Sequence, residues 1–175
     1  MTNKILFVIA PEDFRDEELL QPKEVLEFLG AETTIASTKK GTAVGKLGAK
    51  VEIEKTINEI NYIDFDAVVF VGGRGVETYK LYENLDVLKL ARDFYNADKL
   101  TCAICIAPRI LAMAEILKNK NATCHPDPAS IALLKQHSVH YIDEQSVVID
   151  GNIITANGPE ASREFGEKIG KKLKL

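Results

Sequence analysis

Cys105 ends the apolar run Leu100-Thr101-Cys102-Ala103-Ile104 and stands three residues before Pro108. Strand, sharp turn and proline-started helix in that order make a nucleophile elbow, which presents one side chain on a strained turn and needs small residues two positions to either side. Ala103 and Ala107 occupy those positions. Free N–H groups at a helix start favour a thiolate, so the placement is expected to lower the thiol pKa from about 8.5 and make the sulfur nucleophilic. The plainer alternative is a small apolar residue closing a core strand. The coincidence of turn, small flanks and helix start favours the nucleophile.

Four further groups bear on that sulfur. Gly72-Gly73-Arg74-Gly75 follows an apolar run and lets backbone N–H groups come close to a ligand. It is neither a dinucleotide fingerprint nor a P-loop, and it reads either as a tight turn or as half an oxyanion hole built from the amides of Gly73 and Ile106. The acidic stretch Glu12-Asp13-Phe14-Arg15-Asp16-Glu17-Glu18 offers carboxylates for acid–base work or for a helix start in solvent, and residue type alone does not choose among them. His125, before Pro126, is a loop histidine that serves as a base or only as structure, while His137 and His140 are read as peripheral. Cys102 completes a C-x-x-C with Cys105, but redox pairs of that spacing straddle a helix start and Cys102 falls inside the strand, where core packing is the better reading. A zinc site would have to recruit Cys124 and His125, adjacent residues that rarely point at one metal, and there is no second C-x-x-C; no metal site is expected.

The elements that must position these groups are legible in the hydrophobic pattern. Apolar runs at 5–10, 33–36, 67–71 and 100–104 lack polar alternation, as strands do when helices cover both faces of a parallel sheet. Leu19, Leu20, Val25, Leu26 and Leu29 form a helical stripe ending at Gly30; Leu85, Leu88, Ala91, Arg92 and Tyr95 form another behind the capping residue Asn84. A third helix is expected from Pro108 through Leu111, Ala112 and Ile116, and a C-terminal one on Ala161, Phe165, Ile169 and Leu173. Residues 147–149 and 153–155 flank Asp150-Gly151-Asn152 as an antiparallel edge hairpin, and a short β excursion is expected near 44–54. The pattern is α/β: one flavodoxin-like, doubly wound sandwich over residues 1–175, with a mostly parallel sheet and its site outside the carboxyl ends of the central strands.

Composition narrows the function classes. The chain has 175 residues, 46% hydrophobic, with 22 Lys and Arg against 26 Asp and Glu, a net charge of -4. No basic excess exists to neutralise a phosphate backbone, so nucleic acid is not an expected partner. The run at 5–10 is far short of the ~20 residues that cross a bilayer and lacks a signal-peptide architecture, so no membrane partner and a cytoplasmic location are expected. An odd count of 3 cysteines argues for reduced thiols rather than a disulfide framework.

Glu18-Leu19 with Pro22 four residues beyond the glutamate, Val71-Gly72-Gly73, Ala103-Ile104-Cys105-x-Ala107-Pro108, Thr123-x-His125-Pro126 and Asn157-Gly158-Pro159 together resemble the ThiJ/PfpI family, over essentially the whole chain. The family includes the parkinsonism-associated deglycase and the PfpI intracellular peptidases. The resemblance implies that Cys105 is the nucleophile, that Glu18 is the acid hydrogen-bonded to it, and that Gly73 and Ile106 donate amides. PfpI-type peptidases place a histidine directly after the cysteine, oriented by a glutamate of a neighbouring subunit. Here that position is Ile106, which cannot accept a proton, although Glu77 matches the glutamate. The deglycase-like branch carries a separate His-Pro, matched by His125-Pro126, and assigns glyoxalase activity to Glu, Cys and His together. Asn157 and Val71 depart from the arginine and proline common at their positions. The expectation is therefore a cofactor-independent glyoxalase or deglycase-like enzyme acting on a small aldehyde, assembled as a homodimer or larger. An intracellular peptidase or amidase and a redox-sensing stress protein or chaperone are the alternatives.

Overall fold

The computed structural model describes residues 2–175. In chain order its strands and longer helices are β1 (Lys4–Val8), β2 (Glu12–Phe14), α1 (Asp16–Phe28), β3 (Glu32–Ser37), β4 (Gly41–Gly45), β5 (Lys50–Ile53), β6 (Lys55–Thr56), β7 (Ala67–Phe70), α2 (Gly75–Thr78), α3 (Leu85–Asn96), β8 (Leu100–Ile104), α4 (Pro108–Met113), β9 (Asn121–Ala122), α5 (Pro128–Gln136), β10 (His140–Tyr141), β11 (Val147–Asp150), β12 (Ile153–Ala156) and α6 (Ser162–Leu173). Seven strands form the central sheet in the order β11-β12-β8-β7-β1-β3-β6. Every pairing in it is parallel except β11 with β12, the edge hairpin.

Because side chains alternate along a strand, each continuous apolar run feeds two cores. Ile5, Phe7 and Ile9 join Val69, Cys102 and Ile104 on one face, packed against Leu19 and Leu26 of α1 and Phe165 and Ile169 of α6. Leu6, Val8 and Ala10 join Val68, Phe70 and Ala103 on the other, against Val87, Ala91 and Phe94 of α3 and Ile110 and Leu111 of α4. The Asn84 side chain accepts from the amides of Asp86 and Val87 and so starts α3. Among the described residues no helix is long and apolar enough to cross a membrane.

Several expectations need correction. The helix begun at Pro108 ends at Met113 rather than running to Ile116, and left-handed backbone at Glu115 and Asn119 turns the chain back. The helix α5, started by the Asp127 side chain accepting from the Ser130 amide, was not in the pattern. Leu85, placed in a buried stripe, is 77% exposed, and Leu20 is also exposed. The excursion near 44–54 is the hairpin β4–β5, which pairs with β2 in a separate sheet of three strands. Buried Asp16 clamps its turn by accepting from the amides of Leu47 and Ala49, both at 2.8 Å. That clamp anchors the first turn of α1, which carries Glu18.

Candidate active site

In a parallel sheet the carboxyl ends of neighbouring strands open on one edge. Here those of β1, β7, β8 and β12 deliver, in turn, the loop before α1, Gly72-Gly73, Cys105 and Asn157-Gly158-Pro159. Cys105 has φ 64°, left-handed backbone in a residue with a side chain, which costs on the order of 1 kcal/mol or more and persists only where the surroundings impose it. Two main-chain bonds do so. The Cys105 amide donates to the Ala156 carbonyl at 2.9 Å, and its carbonyl accepts from the His125 amide at 2.7 Å.

Glu18 is fully buried and Cys105 is 9% exposed. A Cβ added to Gly72 would lie 2.4 Å from Oε2 of Glu18 and 2.6 Å from Cβ of Cys105, so the two side chains meet over that glycine and leave no room for any other residue. Gly73 has φ 104°, and its own Cβ would fall 2.4 Å from the Arg15 nitrogen. This close approach is locked by the Arg15 amide donating to the Gly72 carbonyl at 3.1 Å. The amides of Gly73 and Ile106 both favour the ionised form of the Cys105 sulfur.

Electrostatics divides one charge between two groups. Burial pushes the Glu18 carboxyl up to about 7, opposed by the Cys105 thiol, the Arg15 charge and the Gly72 amide. Among the described residues neither carboxyl oxygen has a full hydrogen-bond partner. Burial raises the Cys105 thiol as well, and the Glu18 charge and hydrogen bond add to it; the Gly73 and Ile106 amides pull the other way. The low thiol pKa expected from the helix start is therefore not what the site builds. The following helix is only 6 residues long, and the sulfur sits in a buried place beside an acid. The pair carries at most one negative charge in the neutral range, since two adjacent anions would repel.

His125 is exposed and lines a cavity of about 290 Å³ with Pro126, Asn157, Gly158, Pro159 and Glu160. Its amide bond to the Cys105 carbonyl brings its loop against the elbow. Half-buried Ile106 packs against both cores and presents only hydrocarbon beside the elbow. Glu77 is taken by Arg109 of its own chain and by the Tyr82 hydroxyl, which donates to it at 3.1 Å. It is thus paired within its own chain. Cys102 is fully buried on the strand, and Cys124 is buried with its thiol pushed up to about 12, chiefly by burial. Among the described residues no three His, Cys, Asp or Glu side chains converge as a metal site.

Two residues of the site were missed in the sequence. Arg15 pairs with Glu17 through Nε at 2.8 Å and its charge acts on both Glu18 and Cys105. Arg109 is a buried cation one residue past Pro108 with partners on α2 and α5. Its one local signal was a charged residue on a helix that the strand–elbow pattern requires to be buried.

Comparison with known proteins gives a consistent result. The model of the DJ-1/PfpI family matches residues 3–172. An uncharacterized protein of Methanocaldococcus jannaschii is 46% identical, the alignment covering 96% of this chain and 81% of that one. A protein of Pyrococcus furiosus named deglycase PfpI is 36% identical, over 89% of this chain and 90% of its own. Among solved structures, a ThiJ/PfpI domain protein from Brachyspira murdochii superimposes with a TM-score of 0.93 at 36% identity, covering 99% and 97% of the two chains. Drosophila melanogaster DJ-1beta superimposes at 0.84 and 26% identity, covering 99% and 91%.

Proposed function

This chain belongs to the DJ-1/PfpI family, and from that premise we propose that it is a cysteine-dependent, cofactor-independent enzyme of glyoxalase or deglycase type, converting small α-oxoaldehydes such as methylglyoxal to 2-hydroxy acids. The observation that carries the reading is the meeting of Glu18 and Cys105 over Gly72 beneath two amide donors. The Cys105 thiol gives its proton to Glu18 as the sulfur adds to the aldehyde carbon, forming a hemithioacetal. The Gly73 and Ile106 amides hold the oxygen as it gains charge. Glu18 or His125 then moves the proton from the former aldehyde carbon to the neighbouring carbonyl carbon through an enediol, leaving a thioester on Cys105. Water hydrolyses the thioester, returns the thiol and releases the acid, so methylglyoxal and water become lactate and one proton.

The name of the Pyrococcus furiosus relative, deglycase PfpI, supports the same class, since release of an aldehyde adduct calls on the same nucleophile and proton shuttle. Peptide hydrolysis has less support because the leaving amine needs a proton from a positioned acid, and Ile106 and the paired Glu77 supply none. Action in the cytoplasm as a homodimer or larger assembly belongs to the same reading; light scattering after size exclusion tests the assembly. The test of function is a parallel assay of the pure protein on methylglyoxal and on a fluorogenic peptide. Lactate formation with background peptide hydrolysis is the expected result, and robust peptide hydrolysis lost in Cys105→Ala overturns the order.

A further inference from the structure

We propose that Arg109 is a positioning residue that holds the Gly73 loop and the His125 loop against the Cys105 elbow, a role that rests on the reading of Cys105, Glu18 and His125 as reacting groups. Its guanidinium is only 7% exposed yet meets acceptors from two other elements of the fold. Nε donates to Ser130 Oγ of α5 at 2.8 Å, Nη2 donates to Asp127 Oδ1 at 3.1 Å, and Nη1 donates to Glu77 Oε2 on α2. The plane also lies 5.6 Å from the centre of the Tyr82 ring, whose hydroxyl binds the same Glu77. A planar fork with five donors satisfies such a set at once; a lysine ammonium does not.

Each partner is one short step from a group at the sulfur. Glu77 lies on α2, whose first turn is closed onto the glycine loop by the Val76 amide donating to the Gly73 carbonyl at 3.1 Å. The Asp127 amide donates to the His125 carbonyl at 2.8 Å, and its carboxylate starts α5 by accepting from the Ser130 amide. Arg109 itself sits on α4, with its amide bonded to the Ile106 carbonyl. One buried side chain therefore ties together the strand ends that supply the Gly73 donor, the Cys105 and Ile106 elbow, and His125. Burying a cation is costly, and an apolar clasp of the same size packs as well without that cost. What the guanidinium adds is direction, since each arm bonds only at one orientation of its loop.

The test uses Arg109→Lys, Glu77→Gln and Asp127→Asn, the last keeping an N-cap acceptor so that α5 persists. Glu18 and Arg15, the charged groups that face Cys105, stay unchanged in all three. The readouts are the rate of Cys105 alkylation against pH and the kcat and KM for methylglyoxal, with melting temperature as the control. Glu77→Gln and Arg109→Lys are expected to slow Cys105 alkylation about 10-fold and move its profile to higher pH as the Gly73 donor backs away. Asp127→Asn is expected to leave alkylation within about twofold and lower kcat about 10-fold at constant KM. Melting temperatures that fall while the alkylation profiles of Glu77→Gln and Arg109→Lys match wild type overturn the proposal and make Arg109 a structural anchor only. If the wild type does not consume methylglyoxal, the functional reading fails, while the alkylation profiles still decide the role of Arg109.

Discussion

Replacing Glu18 with glutamine should make the protein more stable, and the gain should grow with pH. The carboxyl titrates near 4.5 when unfolded and at about 7 when buried beside Cys105. Below the lower value both states are protonated and the group contributes no pH dependence. Between the two, the unfolded chain releases the proton and the native state keeps it, so the native state binds more protons and stability falls as pH rises. The slope is about 1.4 kcal/mol per pH unit, which over this interval comes to about 3 kcal/mol lost by pH 8. Glutamine has no proton to lose, and every other titrating group is common to both proteins and cancels in the difference. The Cys105 thiol, ordinarily at 9.0, is pushed upward here, so across this window the Glu18–Cys105 pair of the wild type releases one proton at most and the thiol of the variant releases none. Urea unfolding of wild type and Glu18→Gln at half-unit steps from pH 4.5 to 8 measures the quantity directly. The variant should gain about 3 kcal/mol relative to wild type between the ends, or roughly 6–12 °C in Tm for a chain of this size. Parallel curves, or a wild type that gains on the variant as pH rises, would show that Glu18 is not held protonated and would remove the shared proton from the mechanism.

Alkylation by iodoacetamide should reach Cys105 before the fully buried Cys102 and Cys124, rising with a midpoint near pH 7 because the first proton lost belongs to the pair with Glu18. In Glu18→Gln the midpoint should move to 9 or above, as measured by peptide mapping; early labelling of Cys124 contradicts the assignment. Gly72→Ala places a methyl 2.4 Å from Glu18 Oε2 and 2.6 Å from Cys105 Cβ, and should cost about 1–3 kcal/mol of stability while lowering turnover about 100-fold, read by urea unfolding and methylglyoxal assay. Ile106→His should leave peptide hydrolysis at background because Glu77 is committed to Arg109; a rise of about 10-fold or more in a fluorogenic assay contradicts that account.

The strand at Leu100–Ile104, the elbow at Cys105 and the edge hairpin were legible because local signals coincide there: an unbroken apolar run, small flanks, a proline start and a turn tripeptide. Helix α4 was read too long because nothing in the composition of 114–119 marks its end. The chain turns through left-handed Glu115 and Asn119, which only tertiary packing imposes. Helix α5 did carry a signal, Asp127 before Pro128, but its short apolar stretch gave no clear periodicity. The partners of Arg109 were not legible for a different reason: they lie 32 and 18 residues away, and only the fold brings them to it. The same holds for the acid–thiol balance. Helix position is written in the order of residues, whereas the burial that raises both Glu18 and Cys105 is a property of the packed sheet edge.

The central claim is that Cys105 carries the substrate and Glu18 carries its proton. It is tested most directly by quenching the protein with acid during methylglyoxal turnover and mapping adducts by mass spectrometry, in wild type, Cys105→Ala and Glu18→Gln. Wild type should show an adduct of one methylglyoxal mass on the Cys105 peptide and form lactate. Cys105→Ala should show neither, and Glu18→Gln should bear the adduct while turning over roughly 100-fold more slowly. Lactate formation at the wild-type rate by Cys105→Ala, or adducts confined to Cys124 or lysine, would contradict the account.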